Sequence, residues 1–183
     1  VFNPGVGRPK IIINAQDNRA ASASYVYVFD GKNLKQEARG IPYYMNVVTM
    51  PNMKQPTLIG QYGDVQRIFR GGVYEMIKAA DGTYMEGTRL DLPEKVNALN
   101  FTWIPYTKDT GELLVMLTDE ERLRVFGKGG NRMFETEEKY SGSYVGIEQT
   151  NQIRGVGKDR NYLPDRYYIP ERMIVTDLEG RGE

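Results

Sequence analysis

The feature that most constrains the fold is a repeat. Three segments, VYVFDGKNLKQEAR, VYEMIKAADGTYMEGTRL and LRVFGKGGNRMFETEEKY, start at Val26, Val73 and Leu123, 47 and then 50 residues apart. In each, an alternating run passes into a turn (Asp30-Gly31, Asp81-Gly82 or Gly129-Gly130) and then into a second, more polar run. Alternation marks a strand with one buried face, and Asp-Gly or Gly-Gly supplies the backbone freedom of a tight hairpin. Ahead of each hairpin lies a short aliphatic run: Ile11-Ile12-Ile13, Thr57-Leu58-Ile59 and Leu113-Leu114-Val115. A further strand precedes the second and third of these, YYMNVVTM from Tyr43 and VNALNFTWI from Val96. The unit is four strands in about 50 residues, the length and strand count of a propeller blade.

The expected fold class is therefore all-β, a β-propeller of four-stranded antiparallel blades, with a β-sandwich or an irregular meander as the alternative. Blades are expected at 10–42, 43–92 and 96–141, the start of another at 169–183, and an insertion loop at 144–168. The aliphatic strands belong inside the stack. The final polar strand of each unit, such as FETEEKY from Phe134, belongs at the solvated edge, where its charges discourage edge-to-edge pairing. The best helical run, Leu117 to Val125, is broken by charges. The first strand read is an aliphatic second strand, and the last, RMIVTDLEGRGE from Arg172, reads as the first strand and turn of a unit. Closed rings generally need four to eight blades. The expectation is an incomplete ring of about three to four blades, either a fragment of a longer propeller or a chain whose self-association completes the ring.

Composition bears on chemistry. The chain has no Cys and no His, which removes Ser-His-Asp triads, thiol nucleophiles and His- or Cys-ligated zinc. Lys plus Arg number 24 and Asp plus Glu 24, whereas a dedicated nucleic-acid surface needs a basic excess gathered on one face. No nucleic-acid partner is expected. The longest aliphatic stretches are of the size of Leu113 to Leu117, far short of the roughly 20 residues of a membrane helix. No transmembrane segment is expected, and no export signal lies within these residues.

The closing residues Ile174-Val175-Thr176-Asp177-Leu178-Glu179-Gly180-Arg181-Gly182-Glu183 resemble the start of an FG-GAP or VCBS repeat, the integrin-alpha-like blade, in which an inner strand runs into Asp-x-Asp-Gly-Asp-Gly and an acidic residue. The strand and turn from Val26 also resemble later strands of such blades. The resemblance implies a bacterial source, an exported location (extracytoplasmic, periplasmic or cell-surface) and a binding or scaffolding role. It also implies calcium in the acidic loop, where alternating carboxylates converge on a hard cation and Gly permits the turn. Asp177 and Glu179 stand at the first and third positions of that motif, but Arg181 stands where the family has a third acid. The alternatives here are a degenerate calcium loop and a plain strand-connecting turn.

Two acid clusters, Asp119-Glu120-Glu121 and Glu135-Glu137-Glu138, are the material from which a glycosidase pair could be drawn. They fall at a turn and on an outer strand, where solvated acids are ordinary. The insertion mixes Arg154, Lys158, Arg160 and Arg166 with Tyr162, Tyr167 and Tyr168, a composition common at interfaces. It reads either as a surface loop or as a partner site. Two functions follow: a non-enzymatic propeller module binding a protein or glycan, or a carbohydrate-active propeller enzyme, lyase or hydrolase. The missing His and the absence of a strong acid pair favour the module.

Overall fold

The computed structural model describes residues 8–15, 22–51, 53, 55–63, 69–107, 111–118 and 120–140, with short strands at 146–148, 153–154, 161–162 and 166–168. Among these residues every regular element is a strand apart from a single 3-10 turn at Lys128–Gly130. Strands β1 (Lys10–Ile13), β2 (Ser24–Phe29) and β3 (Leu34–Ile41) form the first sheet. Strands β4 (Tyr43–Val48), β5 (Thr57–Tyr62), β6 (Arg70–Lys78) and β7 (Tyr84–Arg89) form the second. The third holds β8 (Phe101–Thr107), β9 (Gly111–Leu117), β10 (Leu123–Phe126) and β11 (Arg132–Glu135). All three sheets are antiparallel meanders in which chain neighbours pair.

The hairpins close by the chemistry their turn residues carry. The Asp30 carboxylate accepts from the amides of Lys32 at 2.9 Å and Asn33 at 2.7 Å, while Gly31 takes φ +93°. Asp81 repeats this on the amide of Thr83 at 2.9 Å and on its hydroxyl at 2.6 Å, with Gly82 at φ +88°. An Asp that accepts the amides two or three residues on fixes a turn at the point where Gly relieves the backbone. The third hairpin lacks the Asp and turns on Gly129 and Gly130, at φ +77° and +78°.

The sheets stack face to face through two apolar seams. Between the first and second sheets lie Val26, Ile41, Met45, Leu58, Met76 and Tyr84, with Ile12 packed against them. Between the second and third lie Val48, Ile59, Val73, Val96, Ala98, Phe101, Leu114, Met116 and Phe126. Leu58 and Ile59 are adjacent on β5 and enter opposite seams, so the second sheet is covered on both faces. Burial on both faces explains why β5 reads as a continuous buried run, Leu58 to Gln61, and not as an alternation.

Primary amides reach across both seams. Asn14 donates from Nδ2 to the Met45 carbonyl at 2.9 Å and accepts the Met45 amide at 2.8 Å. One seam further on, Gln61 Oε1 accepts the Ala98 amide at 3.0 Å and Asn46 Nδ2 donates to the Ala98 carbonyl at 2.9 Å. In each case one backbone residue of the following sheet or its approach has both polar groups satisfied by the preceding layers, as burial demands.

Those amides change the expected start of the third sheet. The run from Val96 is not strand until Phe101; Ala98, Leu99 and Asn100 form a turn buried between the sheets. Because Gln61 and Asn46 satisfy Ala98, the chain needs no ladder there. The formal sequon Asn100-Phe101-Thr102 thus begins on a side chain 1% exposed. The polar run from Phe134 also ends earlier than read, because Thr136 turns its hydroxyl back to accept the Leu123 amide at 3.1 Å.

Candidate functional site

Of the residues singled out for partner binding, Arg154 lies on β13 (Ile153–Arg154) and Tyr162 on β14 (Asn161–Tyr162), which pair antiparallel. Arg166 and Tyr167 lie on β15 (Arg166–Tyr168), paired with β12 (Gly146–Glu148). The segment read as an insertion loop therefore contains two short antiparallel pairs. Lys158 and Arg160 lie outside the described residues, as do Asp177 and Glu179 of the acidic loop. Among the described residues no three His, Cys, Asp or Glu side chains converge as a metal site would require.

Two charged clusters come together from residues far apart in the chain. The first straddles the seam between the first and second sheets. Glu37 on β3 accepts from Lys10 of β1 at 2.8 Å and from the Tyr84 hydroxyl of β7 at 2.7 Å, and its second oxygen lies 3.1 Å from Lys78 Nζ of β6. Lys10 also donates to the Tyr84 hydroxyl at 3.2 Å and sits over its ring. Burial pushes Glu37 upward, but the hydrogen bonds from Lys10, Tyr84 and Lys78 outweigh it and hold the carboxyl at about 2. Burial first, then the hydrogen bond to Glu37 and its charge, push the Tyr84 phenol well above its ordinary range.

The second cluster centres on Arg124 of β10, whose side chain is 9% exposed. Its guanidinium bonds Glu135 of β11 at 2.7 Å through Nε, and Glu94 and Glu120 through its two terminal nitrogens. Glu135 is shared with Arg132 at 2.6 Å and faces Arg122 at 3.7 Å. The hydrogen bond from Arg124, ahead of the opposing burial, holds Glu135 below its ordinary range. A glycosidase acid must instead be raised so that it carries a proton at working pH. Glu120 and Glu135, drawn from the two acid clusters of the sequence, are thus joined as counter-ions of one arginine.

Neither arrangement suits proton transfer. A general acid or base exchanges its proton near the operating pH, whereas Glu37 is fixed as an anion, Tyr84 as a neutral phenol and Arg124 as a cation. What the geometry does is tie elements together: four strands of two sheets at Glu37, and the hairpin β10–β11 with both neighbouring loops at Arg124. Sequence reasoning missed both centres. Lys10 and Glu37 are 27 residues apart and Tyr84 is 47 beyond Glu37, so no local spacing advertised the group. Glu94 and Arg124 are separated by 30.

No family model, no curated protein and no solved structure matches the chain. No helix among the described residues is long and apolar enough to cross a membrane.

Proposed function

We propose that this chain is a run of β-propeller blades of the FG-GAP or VCBS kind, acting as a non-enzymatic binding or scaffolding module outside the cytoplasm. The observation that carries the reading is the stack: three antiparallel meanders follow one another in chain order, and the middle one is buried on both faces. A two-layer sandwich leaves the outer face of each sheet to solvent, while blades cover one another on both sides. The polar last strands suit outer rims: β7 and β11 are mostly exposed and carry both charge signs.

The ligand class that fits is a protein or glycan, met by loops on a rigid scaffold. The charged centres are consumed in cross-bracing, which favours the module over the carbohydrate-active lyase or hydrolase. A glycan array with a turnover assay on every hit tests this. Binding without product is the expected result, and a released product would establish the enzyme. The Arg154–Tyr167 segment is the proposed partner surface; replacing residues 151–166 by a Gly-Ser linker should abolish binding with the melting transition kept, and retained binding would refute the role. Calcium at Asp177 and Glu179 belongs to the same reading. Millimolar calcium should raise the melting temperature of the full chain, and an unchanged value would remove the ion from the account.

A further inference from the structure

The Glu37 brace closes one end of the first seam, beside the pair Lys78 and Tyr84. The other end carries a different set of side chains. Tyr43 pairs with Tyr62 across β4 and β5, Met45 with Gly60 across the same strands, Gly60 with Tyr74 across β5 and β6, and Met76 with Glu86 across β6 and β7. Met45 and Met76 lie in the seam with the first sheet. Cross-strand partners share a face and alternate residues return to it, so Tyr43, Tyr62, Tyr74 and Glu86 all belong to that face. Two glycines clear the surface for long side chains. A Cβ at Gly60 would lie 2.5 Å from Met76 Sδ and 3.3 Å from Tyr43 Cβ, and one at Gly72 would lie 2.7 Å from Arg89 Nε. Tyr43 thus runs close over β5 and Arg89 over β6. Both ladders also slip here, β5–β6 between Gly60 and Tyr62 and β6–β7 between Tyr74 and Met76. Bulges of this kind re-aim side chains and are over-represented next to active sites.

The rings of Tyr43 and Tyr62 meet at 77° with centroids 5.8 Å apart, and Tyr62 is 37% exposed. Burial, then the charge and hydrogen bond of Glu86, push the Tyr43 phenol above its ordinary range, so it stays a donor. Glu86 and Arg89 are exposed, and among the described residues neither takes part in an ion pair, in contrast to Glu37, Arg124 and Glu135. An acceptor and a donor therefore stand uncommitted beside an open phenol ring. We propose that Tyr43, Tyr62, Tyr74, Glu86 and Arg89 form a saccharide-binding site at this end of the seam. A sugar ring offers an apolar C–H face and a rim of hydroxyls. The negative face of an aromatic ring attracts the C–H groups, while the carboxylate accepts from hydroxyls and the guanidinium donates to them, in the charge-assisted bonds that are the stronger kind. From β5 to β7 is two strand spacings, about 10 Å, room for a disaccharide. The site deepens the binding-module reading and rests on it, taking the ligand to be a glycan and naming where it sits.

The test titrates the full chain with cellobiose, maltose, lactose and chitobiose at millimolar concentration and follows the tyrosine ring signals by NMR. At least one of these sugars should shift the Tyr62 and Tyr74 signals in a saturable way. Tyr62→Ala and Glu86→Gln should each weaken its binding at least about tenfold, the loss of one good contact. Both positions are exposed, so the melting temperature should hold; if Tyr62→Ala unfolds the chain, Glu86→Gln decides. Saturation by none of the four sugars, or binding undiminished in the folded variants, would overturn the site and leave the module reading intact, with a protein as its ligand. Cleavage of the bound sugar would overturn the non-enzymatic reading and leave the site in place.

Discussion

At the scale of single residues, the side chains that matter most are polar ones inside the seams. Glu37 folds with a carboxyl held at about 2 against an ordinary value of 4.5. A carboxyl depressed by folding contributes stability that is fully present above its unfolded value and is lost as pH falls through the folded one. Glu37→Gln should therefore lower the melting temperature at neutral pH, with the gap to the unsubstituted protein closing between pH 4.5 and about 2. Thermal melts of both proteins across that range read the effect, and a gap independent of pH would show that the ionised carboxylate is not its cause. Gln61 has a different role, since it satisfies the Ala98 amide and donates to the Gly71 carbonyl at 3.1 Å. Gln61→Leu keeps the volume but orphans a buried amide, at a cost of about 1–3 kcal/mol. Urea denaturation should show a lower midpoint with an unchanged slope, because the compactness of both states is preserved.

Elements were the most legible scale. The hairpins were readable because their turns carry local chemistry: Asp30-Gly31 and Asp81-Gly82 set both the carboxylate bonds and the positive φ within four residues. The aliphatic strands were readable as buried runs at β5 and β9, whereas β1, read the same way, is only half-buried and ends on an exposed Ile13. Legibility failed where the deciding partner was distant. Val96 to Asn100 has the apolar pattern of a strand, yet Gln61 and Asn46, 37 and 52 residues from Ala98, hold it as a buried turn. The same reason hid Arg124, whose acids come from a preceding linker, a turn and the next strand. In β5, Ile59 is fully buried in the seam with the third sheet. Ile59→Ala should cost about 2–5 kcal/mol, the range for deleting a large aliphatic side chain from a packed core. A loss below about 1 kcal/mol by urea denaturation would contradict the seam as described.

At the scale of the whole molecule, the all-β class and the antiparallel meanders are legible in the periodicity of the chain, since a spacing of 47 to 50 residues repeats a hairpin preceded by an aliphatic strand. It could not show how the sheets meet, because seam partners such as Val26 with Met76, or Ile59 with Leu114, share no local pattern. The stacking is what separates blades from a sandwich, and it is the claim on which the functional reading depends. Methyl NOE spectroscopy tests it most directly. The account predicts contacts from Val26 to Met45 and Met76 on one side of the second sheet, from Ile59 to Leu114 and Met116 on the other, and none between Val26 and Leu114. Cross-peaks joining Val26 to Leu114, or the absence of either set, would contradict it.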